Sequence, residues 1–194
     1  MQKKFVIGIL IVLLVVVGGV FLWQKDQKDV QELNKNLPEG VKVVKSLFGK
    51  EYKVLNKIDG YQFKLPKTAK GISEINYFPK NPEEEYNVSS VSFRMNGFLV
   101  VEAAVEIHQF ALETNLSLEA FAEQISENYG LSGDLLQDRV GDTVVVKTQQ
   151  IKQLKNGAIY KGEYLYFFQR DSFAYAITSG SEETIRQIIV NGSW

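Results

Sequence analysis

Cysteine is absent from the 194 residues, and histidine occurs once, as His108. Without sulfur there is no disulfide framework, no thiol catalysis, no iron–sulfur ligation and no thiolate zinc site. One imidazole cannot build a His-rich metal centre. The formal net charge is −1, so the basic excess of a nucleic-acid binder is also missing, and no nucleic-acid partner is expected. Neither phosphate-binding glycine loop (G-x-x-x-x-G-K-[ST] or G-x-G-x-x-G) occurs, nor H-E-x-x-H, nor G-x-S-x-G. These absences remove the commonest nucleotide-binding, metalloprotease and serine-hydrolase chemistries.

What is present begins with an uncharged run, Phe5 to Trp23, FVIGILIVLLVVVGGVFLW. As a helix its 19 residues span about 28 Å, close to the hydrocarbon thickness of a bilayer. In lipid the backbone must bond to itself, which forces a helix even on β-branched residues. Lys3 and Lys4 precede the run, whereas Lys25, Asp26, Lys28 and Asp29 cancel after it. The positive-inside rule then places residues 1–4 in the cytoplasm, an uncleaved anchor at 5–23 and the remainder outside the plasma membrane. A cleaved signal peptide would need a shorter apolar core and a small-x-small site, and Val17-Gly18-Gly19-Val20 matches poorly. Taking Lys3 and Lys4 from the 22 basic residues leaves 20 against 23 acidic, so the outer portion is net −3. It is no polybasic lipid-binding module.

Residues 24–40 are polar and of mixed charge. Val30, Leu33 and Leu37 suit a short helical stalk ending at Pro38 and Gly40, and a flexible linker fits as well. From 41 to 194 the pattern becomes short strands punctuated by turn signals. Asp59-Gly60 precedes the alternating run Tyr61–Leu65, and Asn96-Gly97 is a strong two-residue hairpin signal between 88–95 and 98–110. Gly141-Asp142, Asn156-Gly157 and Asp171-Ser172 mark further turns. One helix opens at Ser117 with Leu118, Phe121, Ile125 and Tyr129 on a stripe. Another opens at Ser181 with Ile185, Ile188 and Ile189 inward. The expected fold class is α+β: an antiparallel sheet of about six or seven strands sandwiched by helices, behind one transmembrane helix.

Four segments carry a resemblance. They are Gly60-Tyr61-Gln62-Phe63-Lys64-Leu65-Pro66, Leu116-Ser117-Leu118-Glu119-Ala120-Phe121, Gly141-Asp142-Thr143-Val144-Val145-Val146-Lys147, and Glu183-Thr184-Ile185-Arg186-Gln187-Ile188-Ile189 with Ser193. In this order, over 52–194, the chain resembles PsbP-like domains, an α/β/α sandwich shared with a Ran-binding nuclear import factor. The resemblance implies an extrinsic binding or assembly factor at a membrane complex, with metal binding in some members. The membrane anchor and single histidine depart from that family, so no family site residue is carried over.

Three groups of residues are candidates for function. Glu102, Glu106 and His108 share one strand face, with neighbours about 6.6–7 Å apart. Two carboxylates and an imidazole can ligate a divalent metal if another strand completes the shell; the same row also suits a solvated sheet face. Tyr160, Tyr164, Tyr166 and Phe168 share a face of one strand, and Phe173 and Tyr175 a face of the next. If the faces coincide they form an aromatic platform for a ligand, with room left beside Gly162; if a helix covers them they are core. Glu83, Glu84, Glu85 and Tyr86 form an acidic loop that suits either a basic partner or plain solvation. The leading expectation is a non-enzymatic domain docking a membrane or envelope protein. The alternative is a small-ligand or divalent-metal module, which a pocket between sheet and helix with convergent polar groups would favour. A hydrolase using Glu102 and Glu106 is disfavoured, because carboxylates side by side on one strand do not flank a scissile bond. No resident cofactor is expected beyond such a metal.

Overall fold

A computed structural model describes residues 13, 17–20, 28–45, 51–65, 72–80, 88–95, 103–111, 116–128, 133–153 and 159–194. Of the apolar run 5–23, the described residues 13 and 17–20 are helical, and Leu13, Val17 and Val20 are exposed. No helix among the described residues is long and apolar enough to cross a membrane.

Helix α1 (28–34) falls within the segment expected to be a stalk or linker. It is docked, with Val30 buried and Leu33 and Leu37 packed on the core. Asn34 fixes it in place. Its side-chain amide donates to the carbonyls of Val30 and Val43, both at 2.9 Å, and its Oδ1 accepts from the Val43 N–H at 2.7 Å.

Strands β1 (Val41–Lys45), β2 (Tyr52–Asn56) and β3 (Tyr61–Lys64) form a three-stranded antiparallel sheet. The turn at 57–60 follows the Asp59-Gly60 signal, and Gly60 takes φ +81°, which favours glycine. A second sheet holds seven antiparallel strands: β4 (Ile72–Phe78), β5 (Ser89–Met95), β6 (Ala103–Ala111), β7 (Leu136–Val140), β8 (Thr143–Gln153), β9 (Ile159–Arg170) and β10 (Phe173–Ser179). Their spatial order is β4-β5-β6-β10-β9-β8-β7. Helices α2 (Leu118–Asn128) and α3 (Glu182–Asn191) complete the α+β fold.

The large sheet separates two apolar layers. On one face, Val105, Ile107, Tyr166, Phe168, Tyr175 and Ile177 pack against α3 and the small sheet. On the other face, α2 lays Phe121, Ala122 and Ile125 over Phe110, Val146, Phe167, Ala174 and Ala176. Each such fully buried large side chain stabilises the fold by roughly 1.5–3 kcal/mol. The single sheet expected from the hairpin pattern is therefore two. Residues 41–65 alternate so that Val41, Val43, Val54, Tyr61, Phe63 and Leu65 are all buried. One continuous apolar face of this kind is satisfied by lying across another sheet.

A second difference concerns the Asn96-Gly97 hairpin. A two-residue turn there would pair Met95 with Phe98, but Met95 pairs with Ala103. That register sets Val91 opposite Ile107 and Phe93 opposite Val105, with all four side chains in the core. Residues 96–102, including Glu102, lie outside the described residues. Local signals elsewhere agree with the fold. Gly141-Asp142 joins β7 to β8 with Gly141 at φ +59°, and Asp171-Ser172 joins β9 to β10 with Asp171 at φ +53°. Ser117 and Ser181 cap their helices through Ala120 N–H at 3.2 Å and Thr184 N–H at 3.3 Å.

Candidate functional site

The sheet face that carries α2 is only partly covered. Beside Ile125 of α2 a cleft of about 220 Å3 opens between helix and sheet. Its floor is Phe110, Leu165 and Ala176, with Ile125 as one wall. Polar groups stand around the floor: Glu106 and His108 from β6, Thr178 from β10, Glu163 from β9 and Gln150 from β8.

Strand alternation and register assemble this set. On β6, Val105 and Ile107 face the α3 layer, so Glu106, His108 and Phe110 face the other way. Thr178 is directly opposite Glu106, and Ala176 is opposite His108. The Ala176 methyl is small enough to leave space between the imidazole and Phe167, its partner on the far side. A β-bulge between Gln149 and Ile151 shifts the β8–β9 register near Gly162. Bulges re-aim side chains, and here Gln150 and Glu163 both line the cleft. A Cβ at Gly162 would lie 2.4 Å from Gln150 Oε1, so the room expected beside this glycine is filled by Gln150.

His108 Nε2 lies 3.4 Å from Glu106 Oε2. That hydrogen bond holds the Glu106 carboxyl below its usual value. Glu163 shifts the other way. Partial burial raises its carboxyl pKa, and the charge of Glu106 across the cleft adds to the rise. The two acids thus feel each other, with the His108 imidazole beside Glu106. No Lys or Arg lines the cleft among the described residues.

Two of the three residues expected in a metal row, Glu106 and His108, are in this cleft, and Glu102 lies outside the described residues. Among the described residues no three His, Asp or Glu side chains are grouped closely enough to hold a metal ion. The tyrosine platform is corrected. Register does bring Tyr166 beside Ile177 and Phe168 beside Tyr175, so the two faces coincide. But Tyr166 and Tyr175 are 0% and 2% exposed, beneath α3, the small sheet and Trp194. Their rings serve the core and have no open face for a ligand. Tyr164 is half-buried against the same core and also lines the cleft. Tyr160 lies in β9, with its side chain outside the described set. Glu83, Glu84, Glu85 and Tyr86 lie outside the described residues.

Glu163, Gln150 and Thr178 were not singled out by the sequence. Gly162 inside a strand pattern was the available signal, since such a glycine often marks a bulge.

No family model matches the chain, and no curated protein matches it. A crystal structure of a protein from Bacteroides thetaiotaomicron VPI-5482 is similar at 14% identity, with a TM-score of 0.43. The match covers 69% of this chain and 44% of that one, so this chain spans less than half the length of that protein. A likeness this loose carries no argument about function.

Proposed function

We propose that the chain is a membrane-held, non-enzymatic binding domain that receives a small ligand, or one side chain of a partner, in the cleft between α2 and the sheet. The cleft itself is the observation that carries this reading. A mostly apolar floor with a few convergent polar groups is the usual form of a small-molecule site. A sheet–helix layer packed solid at this point would have opposed it.

The membrane part rests on the uncharged run 5–23 and its flanking charges. Exposed Leu13, Val17 and Val20 on described helical residues of that run support it. The described part of α1 starts at residue 28, five residues after the run ends, so the proposed anchor lies close to the domain in sequence. The resemblance of 52–194 to PsbP-like domains is what suggests a role beside a membrane or envelope protein.

A photocrosslinking side chain placed at residue 178, on the cleft rim, tests the reading in cells. The control position is exposed Val144, on β8 and away from the cleft. A discrete adduct from 178 and none from 144 is expected. Equal adducts from both positions, or none from either, would remove the cleft as the working surface.

A further inference from the structure

We infer that the cleft takes a primary ammonium group carried on a short apolar stem. This deepens the proposed function and rests on it. Four observations lead to this ligand class.

The first is charge. Glu106 and Glu163 face each other across the cleft with one imidazole beside them. Among the described residues lining it there is no Lys or Arg. Glu163 has no described cationic partner to offset Glu106. A guest cation removes the mutual repulsion and gains two carboxylates at once.

The second is the placement of acceptors. Glu106, Thr178, Glu163 and Gln150 come from four different strands and all line the cleft. An ammonium has three rotatable N–H donors and suits acceptors that come from several separate strands. The planar fork of a guanidinium suits a coplanar pair of acceptors.

The third is the floor. Phe110, Ile125, Leu165 and Ala176 offer carbon to whatever carries the charge. A hydrated metal ion gains nothing from them, and no three described ligating side chains are grouped for one. An alkyl stem gains about 0.8 kcal/mol for each buried CH2.

The fourth is size. The cleft holds about 220 Å3. A cavity of about 150 Å3 admits benzene, so the space matches a stem of roughly four or five carbons with its head group. A free alkylamine and the lysine side chain of a polypeptide share this chemistry.

The test is a titration of the full-length, 15N-labelled protein in detergent micelles, read from backbone amide shifts at 106, 108, 163 and 178. The probes are n-butylamine, the neutral n-butanol, and a blocked Gly-Gly-Lys-Gly-Gly peptide with its norleucine counterpart. n-Butylamine is expected to bind at least ten-fold more tightly than n-butanol, and to weaken as salt is added. The double variant Glu106→Gln/Glu163→Gln should lose that preference while still binding n-butanol; both side chains are exposed on the rim, so the fold is retained. Tighter binding of the lysine peptide than of n-butylamine assigns the site to a polypeptide partner, and the reverse assigns it to a free amine. If n-butanol binds as well as n-butylamine, the ammonium inference fails and the cleft reading stands. If zinc or calcium chloride shifts the same amides at lower concentration than the amine, the inference is likewise overturned. If no probe shifts them, the cleft reading falls with it.

Discussion

Trp194 lies almost parallel to Phe63, with 5° between the ring planes and 6.0 Å between centroids. The same indole stacks on Tyr61 at 5.4 Å and meets Phe168 and Tyr175 edge-on at 5.0 and 5.1 Å. Tyr61 and Phe63 belong to the small sheet, and Phe168 and Tyr175 to the large one. This side chain therefore packs on both sheets, beside the direct contacts of Tyr61 with Tyr175 and Phe63 with Phe93. Backbone bonds between Gln62 and Ser193, at 2.9 and 2.7 Å, hold the preceding residue in place.

The first prediction follows from this clasp. Trp194→Ala should cost about 3 kcal/mol of unfolding free energy, at the low end for Trp because the ring is only half-buried. Urea unfolding followed by far-ultraviolet circular dichroism measures it. A loss under about 0.5 kcal/mol, the usual range of an uninvolved surface change, would show that the sheets hold together without it.

The second concerns Gly133, just before β7. A Cβ there would lie 2.2 Å from the Gln149 carbonyl oxygen and 2.5 Å from Thr148 Oγ1. The backbone oxygen cannot retreat without breaking β8 pairing. Gly133→Ala should destabilise by roughly 1–3 kcal/mol, the usual cost of forced overpacking. A melting temperature equal to that of the parent protein would contradict this close approach.

The third concerns how α3 is fastened over β7, β8 and β9. Lys147 Nζ lies 2.8 Å from Asp138 and 3.1 Å from Glu182, and Arg186 lies 3.0 Å from Asp138. The buried Tyr166 hydroxyl donates to Glu182. Hydrogen bonds from Lys147 and its neighbours hold Asp138 well below the usual carboxylate range, and those from Tyr166 and Lys147 lower Glu182. Acids lowered in the folded state add stability above their unfolded pKa of about 4, and that stability is lost as pH falls below it. The groups are partly exposed, so Glu182→Gln should cost no more than about 1 kcal/mol at neutral pH. The gap from the parent protein should be smaller at about pH 3 than at neutral pH. Thermal melts at both pH values decide it, and a gap that widens in acid would contradict the sign.

The fourth uses the opposite shifts of the two cleft acids. Glu106 is lowered, so its contribution is present at neutral pH and lost in acid. Glu163 is raised, so the folded state binds its proton more tightly than the unfolded chain does. That cost is absent in acid and complete above the folded pKa. Glu106→Gln should therefore lower the melting temperature slightly at pH 7, and Glu163→Gln should raise it slightly. Both differences should shrink between neutral pH and about pH 3. Changes of the same sign at neutral pH would contradict the opposite environments given to the two carboxylates, His108 beside Glu106 and partial burial at Glu163.

Features fixed by neighbours in the chain were legible beforehand. Ser117, Ser181, Gly141 and Asp171 act through groups at most a few residues away, and they cap or turn the chain as their types predict. Features fixed at long range were not. The alternation of 41–65 reveals one apolar face but not what it lies on. Asn96-Gly97 signals a hairpin but not the register in which Val105 and Ile107 pair with Phe93 and Val91. Gln109 reads as a surface residue by type, yet it is 0% exposed and donates to the Asp59 carbonyl at 2.7 Å and the Tyr175 hydroxyl at 3.0 Å. Its parity with Val105 and Ile107 on β6 was the clue. For the site, spacing two apart placed Glu106 and His108 together. Glu163 and Gln150 reach them only through a bulge, whose pairing partners are distant in sequence.

The most direct test of the cleft as a binding site is a fragment screen by NMR on the full-length protein, run in parallel on Thr178→Phe. Thr178 stands half-exposed on the rim, so the larger ring can fill the mouth without entering the core. The predicted result is a set of weak binders that shift the amides of 106, 108, 163 and 178 in the parent protein and lose those shifts in the variant. Binders that map elsewhere, or that bind the variant equally well, would contradict the account.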